Sequence, residues 1–369
     1  MITKKVRLRP TKQQELQLYK SAGTARFIYN WTLAKQQENY KQGKKFIQDS
    51  VLRKEITQLK KTEEYKWLKE VSNNIPKQAV KDACISYKRF FKGQAKFPKF
   101  KYKKKTKLSF YNDTHRLRVK ENLVLLQRIG WVKTSEQLPT NTKYYNPRIT
   151  FDGKYWYISV SIEEENIYEE LTDESLGIDL GIKELAICSD GTIYGNINKT
   201  VKVKKLEKRL RRLQRKVSRK YQKNKEGGKF VKTCNIIKLE KQIKLIQRRL
   251  SNIRKNHLHQ TTTSIVKTKP RRIVIEDLNV SGMMKNRHLA KAIQKQGFYE
   301  FRRQLEYKCK RKGIEVILAD RFYPSSKTCS NCGTINQNLK LSDRIFNCEC
   351  GFSLDRDLNA SINLANYNI

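Results

Sequence analysis

SLGIDLGIKELAICSDG, residues 175–191, is the stretch whose reading decides the fold. Leu176, Ile178 and Leu180 make an apolar strand that carries Asp179 out toward Gly181, where the chain turns and comes back as a second strand, LAICS. Two short apolar strands joined as a hairpin are a common opening for an α/β layer, and they leave an acid at the edge of that layer. Downstream, PRRIVIEDLNVSGM (270–283) holds a second buried-strand pattern at Ile273 to Ile275 that ends abruptly in Glu276 and Asp277. One long helix is expected through HLAKAIQKQGFYEFRRQLEYKCKRK (288–312), then a strand over IEVILADR (314–321) and a closing helix over LNASINLANY (358–367).

Between those last two elements, PSSKTCSNCG and CECGFSLDRDLNASINL enclose two cysteine pairs, Cys329/Cys332 and Cys348/Cys350, fifteen residues apart. Cys-x2-Cys followed at ribbon spacing by a second pair is the ligand set of a closed structural zinc site; the single residue inside the second pair narrows its knuckle without preventing tetrahedral sulfur ligation. Asp355 and Asp357 follow at once, at the head of the closing helix. Cys84, Cys188, Cys234 and Cys309 are scattered, a usage that suits a reducing compartment and not a disulfide framework.

The 369 residues include 80 Lys and Arg against 35 Asp and Glu, a net charge of +45 that calls for a polyanion, hence nucleic acid. A merely solvated basic tail is excluded by 38% hydrophobic residues with 18 Tyr, 14 Phe and 4 Trp. No apolar run is long enough to span a membrane, and MITKKVRLRP has no apolar core of a secretory signal. The expected location is cytoplasmic, in a prokaryote and associated with the nucleoid.

Toward the N-terminus, ITKKVRLR (2–9) reads as a strand ending at Pro10, and Thr11 caps a helical pattern that resumes in ARFIYNWTLAKQQENY. Further helices are expected at about 50–70 and 76–92. KFPKFKYKKKTKLSFY (96–111) interleaves Phe97, Phe100, Tyr102 and Tyr111 with Lys96, Lys99, Lys101 and Lys103 to Lys105; this is either a nucleic-acid grip or an ordinary amphipathic hairpin. Strand signals from 116 to 162 end in the alternating KYWYISVSIE and, with the first strand, suggest a small antiparallel barrel interrupted by the helices. The acidic run EEENIYEELTDES (163–175) is the composition break taken as the domain boundary. Residues 201–256 form a pair of basic helices with narrow apolar seams, broken at Gly227 and Gly228, and expected to lie along nucleic-acid backbone through residues such as Arg209, Arg212 and Arg215.

Asp179, Glu276 and Asp357 share one context: strand end, strand end, helix start. Each alone reads as a turn residue, a strand-end cap or an N-cap. Together in a strongly basic chain they point to carboxylates holding Mg²⁺ or Mn²⁺ for phosphodiester hydrolysis. No phosphate-cradling glycine loop and no Ser/His or Cys/His nucleophile motif occurs, so a nucleotide cofactor and acyl transfer fall away.

GIDLGIKELAICSDG, VIEDLNV, FYEFRRQLEYK, FYPSSKTCSNCG and DRDLNASINL, with RLRPTKQQ and ARFIYNWTL near the start, resemble TnpB, the transposon-encoded RNA-guided DNA endonucleases related to type V CRISPR effectors. The resemblance implies a mixed fold of α/β, all-β and all-α parts. A RuvC/RNase H-like nuclease domain would occupy 175–323 and 352–369, with the basic hairpin within it and a zinc ribbon inserted at 324–351. A wedge-type β-barrel would occupy 1–10 and 95–165 and carry a helical recognition domain at 11–94. It implies a triad of Asp179, Glu276 and Asp357, an active-site Arg344, and Mg²⁺ (or Mn²⁺), Zn²⁺ and a guide RNA copied from the transposon end as cofactors. Double-stranded DNA would be cut beside a short motif, for which Asn73, Asn74, Lys77 and Gln78 are the candidate readers; Lys99, Lys101 and Lys103 are further candidate contacts. A monomer is expected. Leu354 stands where many relatives have His before DRD. The rival readings are a cleavage-deficient RNA-guided repressor and a protein-only RuvC-like nuclease of transposition.

Overall fold

The first strand and the capped helix after it form as their residues dictate. In this computed structural model, which describes residues 1–103, 106–163, 169–340 and 342–367, β1 (Ile2–Arg9) runs into α1 (Lys12–Lys41). At the junction the Thr11 hydroxyl accepts from the Gln14 N–H at 3.2 Å while the Gln14 side chain accepts from the Thr11 N–H at 3.0 Å, a reciprocal capping box. Lys104, Lys105 and residues 164–168 of the acidic run lie outside the described residues. The chain divides into two units, Met1–Glu164 and Glu165–Ile369.

In the first unit α1 packs on α2 (Asp49–Leu59) and α3 (Asn74–Phe91) through Ile28, Leu52, Ile56, Val80 and Cys84. The single helix expected at 50–70 is two pieces: α2 stops at Leu59 and a 3-10 helix covers Glu63–Glu70. Thr62 at the break donates its hydroxyl to the Leu59 carbonyl at 2.8 Å, ending the α ladder, and the tighter turn that follows buries Leu68. Six more strands follow: β2 (Ser109–Tyr111), β3 (Arg118–Lys120), β4 (Leu123–Leu126), β5 (Gly130–Thr134), β6 (Tyr144–Phe151) and β7 (Trp156–Ile162). With β1 they form an antiparallel row in the order β2-β6-β7-β1-β5-β4-β3, and among the described residues no β2–β3 pairing closes it into the expected barrel. Trp156, Ile158, Val160 and Ile162 point into its core, as the period-two pattern requires. Among the described residues of 96–111 the only regular element is β2, which pairs with β6, so no hairpin is seen within them.

The second unit is built on β8 (Thr172–Asp179), β9 (Glu184–Cys188), β10 (Ile193–Gly195) and, after a helical excursion, β13 and β14. That excursion is α4 (Val201–Lys223), a tiny hairpin β11 (Lys225–Glu226) and β12 (Lys229–Phe230), and α5 (Cys234–Lys267); then come β13 (Pro270–Glu276), α6 (Val280–Met283), α7 (Ala290–Gln296), α8 (Phe298–Lys312) and β14 (Glu315–Ala319). The sheet order is β10-β9-β8-β13-β14: an antiparallel hairpin at one side, with β13 and β14 parallel to β8 at the other. α4 and α5 meet along Val203, Leu206, Leu210, Ile246 and Leu250, the seam expected from their periodicity.

Two boundaries differ from expectation. α5 continues past 256 to Lys267, where Leu258, Ile265 and Val266 enter the core under the sheet; the intervening buried positions are Thr261 and Thr262, so the apolar period fades just where the helix becomes most enclosed. The long helix at 288–312 is α7 and α8, divided at Gly297, whose φ of +74° suits glycine and interrupts the helix. Last come the two-stranded β15 (Ile345–Asn347) and β16 (Ser353–Asp355) and the helix α9 (Arg356–Ala365).

Candidate functional site

β8 and β13 are parallel neighbours with Ile178 opposite Ile275, so Asp179 and Glu276 leave the sheet at the same edge, one strand spacing apart. α9 brings the third acid. It lies across β8 at Gly177, where a β-carbon would fall 1.9 Å from the Ser361 carbonyl oxygen, so only glycine lets the helix approach so closely. The doubled acid at its start splits into two roles. Asp355 is the N-cap, accepting from the N–H groups of Asp357 and Leu358 at 3.0 and 3.2 Å. Asp357 faces the sheet edge, and its charge acts on both Asp179 and Glu276.

Burial, reinforced by the charges of Glu276 and Asp357, pushes the Asp179 carboxyl well above the usual carboxylate range. No hydrogen bond among the described residues relieves it, and the Arg356 charge nearby only partly opposes the shift. Burial also raises Glu276, although Ser325 donates to its Oε1 at 2.8 Å and draws it partly back. Asp179 and Glu276 are therefore desolvated acids under the influence of a neighbouring Asp357 charge, with Arg356 as the nearby cation. A carboxyl raised in the folded state keeps a proton that the unfolded chain has released, so stability falls as pH rises from the ordinary value near 3.8 through the raised one. Asp179→Asn therefore raises the thermal midpoint of protein prepared without Mg²⁺ or Mn²⁺, and by more at pH 8 than at pH 5; scanning fluorimetry at the two pH values checks it, and an unchanged or lower midpoint at pH 8 counts against the crowding.

Asp277, beside Glu276, is committed elsewhere, bound by Arg302 at 3.1 Å and by Arg321. Arg356 donates to Asp357 Oδ1 at 3.1 Å, and Arg344, more than half exposed at 54%, comes to 4.0 Å from Oδ2. Ser325, Arg356, Asn359 and Asn363 were not singled out from sequence. The two asparagines are buried on α9, and their amides hold the 325–328 segment: Asn363 donates to the Ser325 and Thr328 carbonyls and Asn359 to the Thr328 carbonyl, each at 2.7 Å. Their signal was present as two polar residues at i and i+4 within the apolar face of LNASINL.

Cys329, Cys332, Cys348 and Cys350 place all four sulfurs within 4.8 Å of one another. Two of the separations are 3.8 Å (Cys329–Cys350) and 3.5 Å (Cys332–Cys348). Tetrahedral Zn–S bonds of about 2.3 Å imply sulfurs roughly 3.8 Å apart, so the donor set fits one such ion. Cys84, Cys188 and Cys309 are buried thiols, with Cys188 and Cys309 each pushed up to about 12 by burial.

The candidate nucleic-acid residues divide. Lys77, Lys99, Lys103, Arg209, Arg212 and Arg215 are exposed. Lys101 is not a free cation: its ammonium sits 3.4 Å from the centre of the Tyr29 ring, and burial lowers its pKa. Gln78 donates to Asp82 at 2.9 Å, Asn74 to Asp113 at 2.7 Å, and Asn73 accepts from Lys60 at 2.8 Å, so these three amides are engaged within the protein.

Family profiles match the chain in succession: a helix-turn-helix domain over residues 1–45, a "Probable transposase" domain over 157–287 and a Cas12f1-like TNB domain over 298–364. The chain is 32% identical over 377 residues to the "Putative RNA-guided DNA endonuclease InsQ" of Escherichia coli (strain K12), covering 98% of this chain and 90% of that protein. The chain belongs to the TnpB family. A further relative from Streptomyces pristinaespiralis, "Putative RNA-guided DNA endonuclease", is 30% identical over 367 residues, covering 98% of this chain and 87% of its own length. In three dimensions the chain is similar to Cas12f1 in its cryo-EM complex with sgRNA and target DNA, with a TM-score of 0.59 at 16% identity over 96% of this chain and 82% of that one, a likeness of fold. Where the helix-turn-helix profile matches, this TnpB-family chain has β1 and one uninterrupted 30-residue helix. No helix among the described residues is long and apolar enough to cross a membrane.

Proposed function

We propose that the chain is an RNA-guided, Mg²⁺- or Mn²⁺-dependent endonuclease that cuts double-stranded DNA beside a short motif, with a guide RNA from the transposon end. The observation that carries the reading is that Asp179 and Glu276 leave one sheet edge as desolvated acids under the charge of Asp357 at the start of α9, in a chain of charge +45. Its sheet order, read as hairpin plus parallel pair, supports the RuvC/RNase H-like assignment of 175–323 and 352–369. The wedge (1–10 and 95–165) and recognition (11–94) assignments belong to the same reading. Pairing with the guide supplies sequence specificity, while the protein holds backbone and shape through exposed cations such as Lys99, Lys103, Arg209, Arg212 and Arg215.

Divalent metal held by the three carboxylates supplies activation of a water and stabilisation of the leaving oxygen. The chain's own contribution is rigidity and charge. Ser325 fixes one oxygen of Glu276, Arg356 orients Asp357, and the half-exposed Arg344 is placed to meet a phosphate beside it. The test is to purify the protein from cells carrying its locus, sequence the RNA that accompanies it and assay matched DNA with Mg²⁺ or Mn²⁺. One abundant RNA ending in transposon-flank sequence, and cutting that disappears when the RNA is removed, are expected; full activity without RNA selects the protein-only reading.

The four cysteines hold zinc in this proposal, as a structural clip. One zinc per chain is expected by elemental analysis. Cys329→Ser removes it and lowers cutting by about 10-fold or more, because the ribbon is tied to α9 through the Ser330 N–H donating to Asn359 at 3.0 Å. Folded, active protein without zinc would sink the assignment.

A further inference from the structure

Phe322 is 88% exposed, the most exposed of the chain's large hydrophobic side chains among the described residues, yet the turn that carries it is held by hydrogen bonds on both sides. Just before it, the Asp320 N–H donates to the Tyr367 hydroxyl at 3.2 Å, and Arg321 binds Asp277, the neighbour of Glu276. Its own N–H donates to the Asp320 carboxylate at 2.8 Å. Just after it, Tyr323 packs edge-on against Tyr367 with ring centres 4.9 Å apart and donates its hydroxyl to the Asn363 carbonyl at 3.2 Å. Ser325 then bonds Glu276 itself at 2.8 Å, and its carbonyl accepts from Asn363 on α9 at 2.7 Å. The turn is thus fastened to β13, which ends in Glu276, and to α9, which carries Asp357 in its first turn. Its turn is anchored on both sides, and among the described residues no protein group covers the ring.

We propose that Phe322 is a positioning residue, a stacking platform for the nucleobase next to the scissile phosphate. This rests on the endonuclease reading and adds to it what holds the strand in register. Phosphate contacts alone let a strand slide along a basic surface, since every phosphate is equivalent. A ring face accepts any base, so the platform fixes position without reading sequence, as an RNA-guided cutter requires. Its anchoring means that no loop-ordering cost accompanies stacking, and the base it holds is registered to Glu276 through Ser325 and to α9, the helix of Asp357, through Asn363.

The experiment uses the full chain with its copurified guide RNA. Single-turnover cutting is measured on matched DNA and on a series in which one nucleotide at a time, within three of the cut, is abasic. At one position the wild type loses about 10- to 100-fold in rate, the range expected for one base–aromatic stack. Phe322→Ala loses the same factor on intact DNA with unchanged target affinity and thermal midpoint, and the abasic site costs it nothing more. Phe322→Tyr keeps the rate within about three-fold. Wild-type cutting by Phe322→Ala, or full additivity of the two losses, overturns the platform and leaves the endonuclease reading standing. Failure of the wild-type complex to cut any matched DNA overturns that reading and the platform with it.

Discussion

Asp179→Ala and Asp357→Ala each lower the cutting rate of the guide-loaded protein by at least about 10³-fold while target binding stays within a few-fold of wild type. Asp179 is buried beside the charges of Glu276 and Asp357, which disfavour its ionised form, and in the proposed reading a bound divalent metal offsets that cost. Neither side chain supports the fold: Asp179 has no hydrogen-bond partner among the described residues, and Asp357's partners are the adjacent Arg356 and the exposed Arg344. Asp355→Ala is the informative contrast. It deletes a cap on α9 worth about 1 kcal/mol and leaves cutting within roughly ten-fold, because the capping carboxylate is engaged by the helix N–H groups. Gel assays of cutting beside filter or mobility-shift binding separate the outcomes. Wild-type cutting by Asp357→Ala would move the third corner to Asp355.

Gly177→Ala has the largest expected effect on stability. The added β-carbon would lie 1.9 Å from the Ser361 carbonyl oxygen and 2.4 Å from the Ala365 nitrogen, and both are backbone atoms of α9, so no side chain can swing aside. Overpacking usually costs about 1–3 kcal/mol; with backbone on both sides the cost here is about 3 kcal/mol or more. Displacing α9 also displaces Asp357, so any protein that folds cuts poorly. Gly23→Ala serves as control, since a β-carbon there meets nothing within 4 Å in the middle of α1; it is neutral or gains up to about 1 kcal/mol. Urea unfolding of the two variants reads the difference, and an undiminished midpoint for Gly177→Ala would show that α9 does not sit on that strand.

Legibility followed the strength of the periodic signal. The β8–β9 hairpin, β13, β14, the α4–α5 seam and the capped start of α1 were readable because apolar spacing and turn residues agree there with the final packing. The break at Gly297 was passed over because one glycine does not by itself end a helical pattern, and only the left-handed backbone found there does so. The last turns of α5 were missed because threonines occupy buried positions and bond the helix's own backbone, as Thr262 does to the Leu258 carbonyl at 2.8 Å. Lys101, Asn74 and Gln78 looked like ligand-facing groups because polarity in sequence does not say whether a partner is water, nucleic acid or another side chain, whether one turn along the same helix, as Asp82 is for Gln78, or far along the chain, as Asp113 is for Asn74.

By itself the sequence determined the chemistry available: three acids at element ends, four cysteines at ribbon spacing, and a cationic excess that demands a polyanion. Those follow from residue type and local spacing, which need no long-range contact to be read. Only the tertiary structure decided that the Asp355 carboxylate caps α9, that Asp277 is turned away to its arginines, and that α9 reaches the sheet through the gap left by Gly177. The approach of α9 to Gly177 brings backbone to backbone across almost two hundred residues of chain, and Asp277 meets side chains 25 and 44 residues away, distances that periodicity does not span.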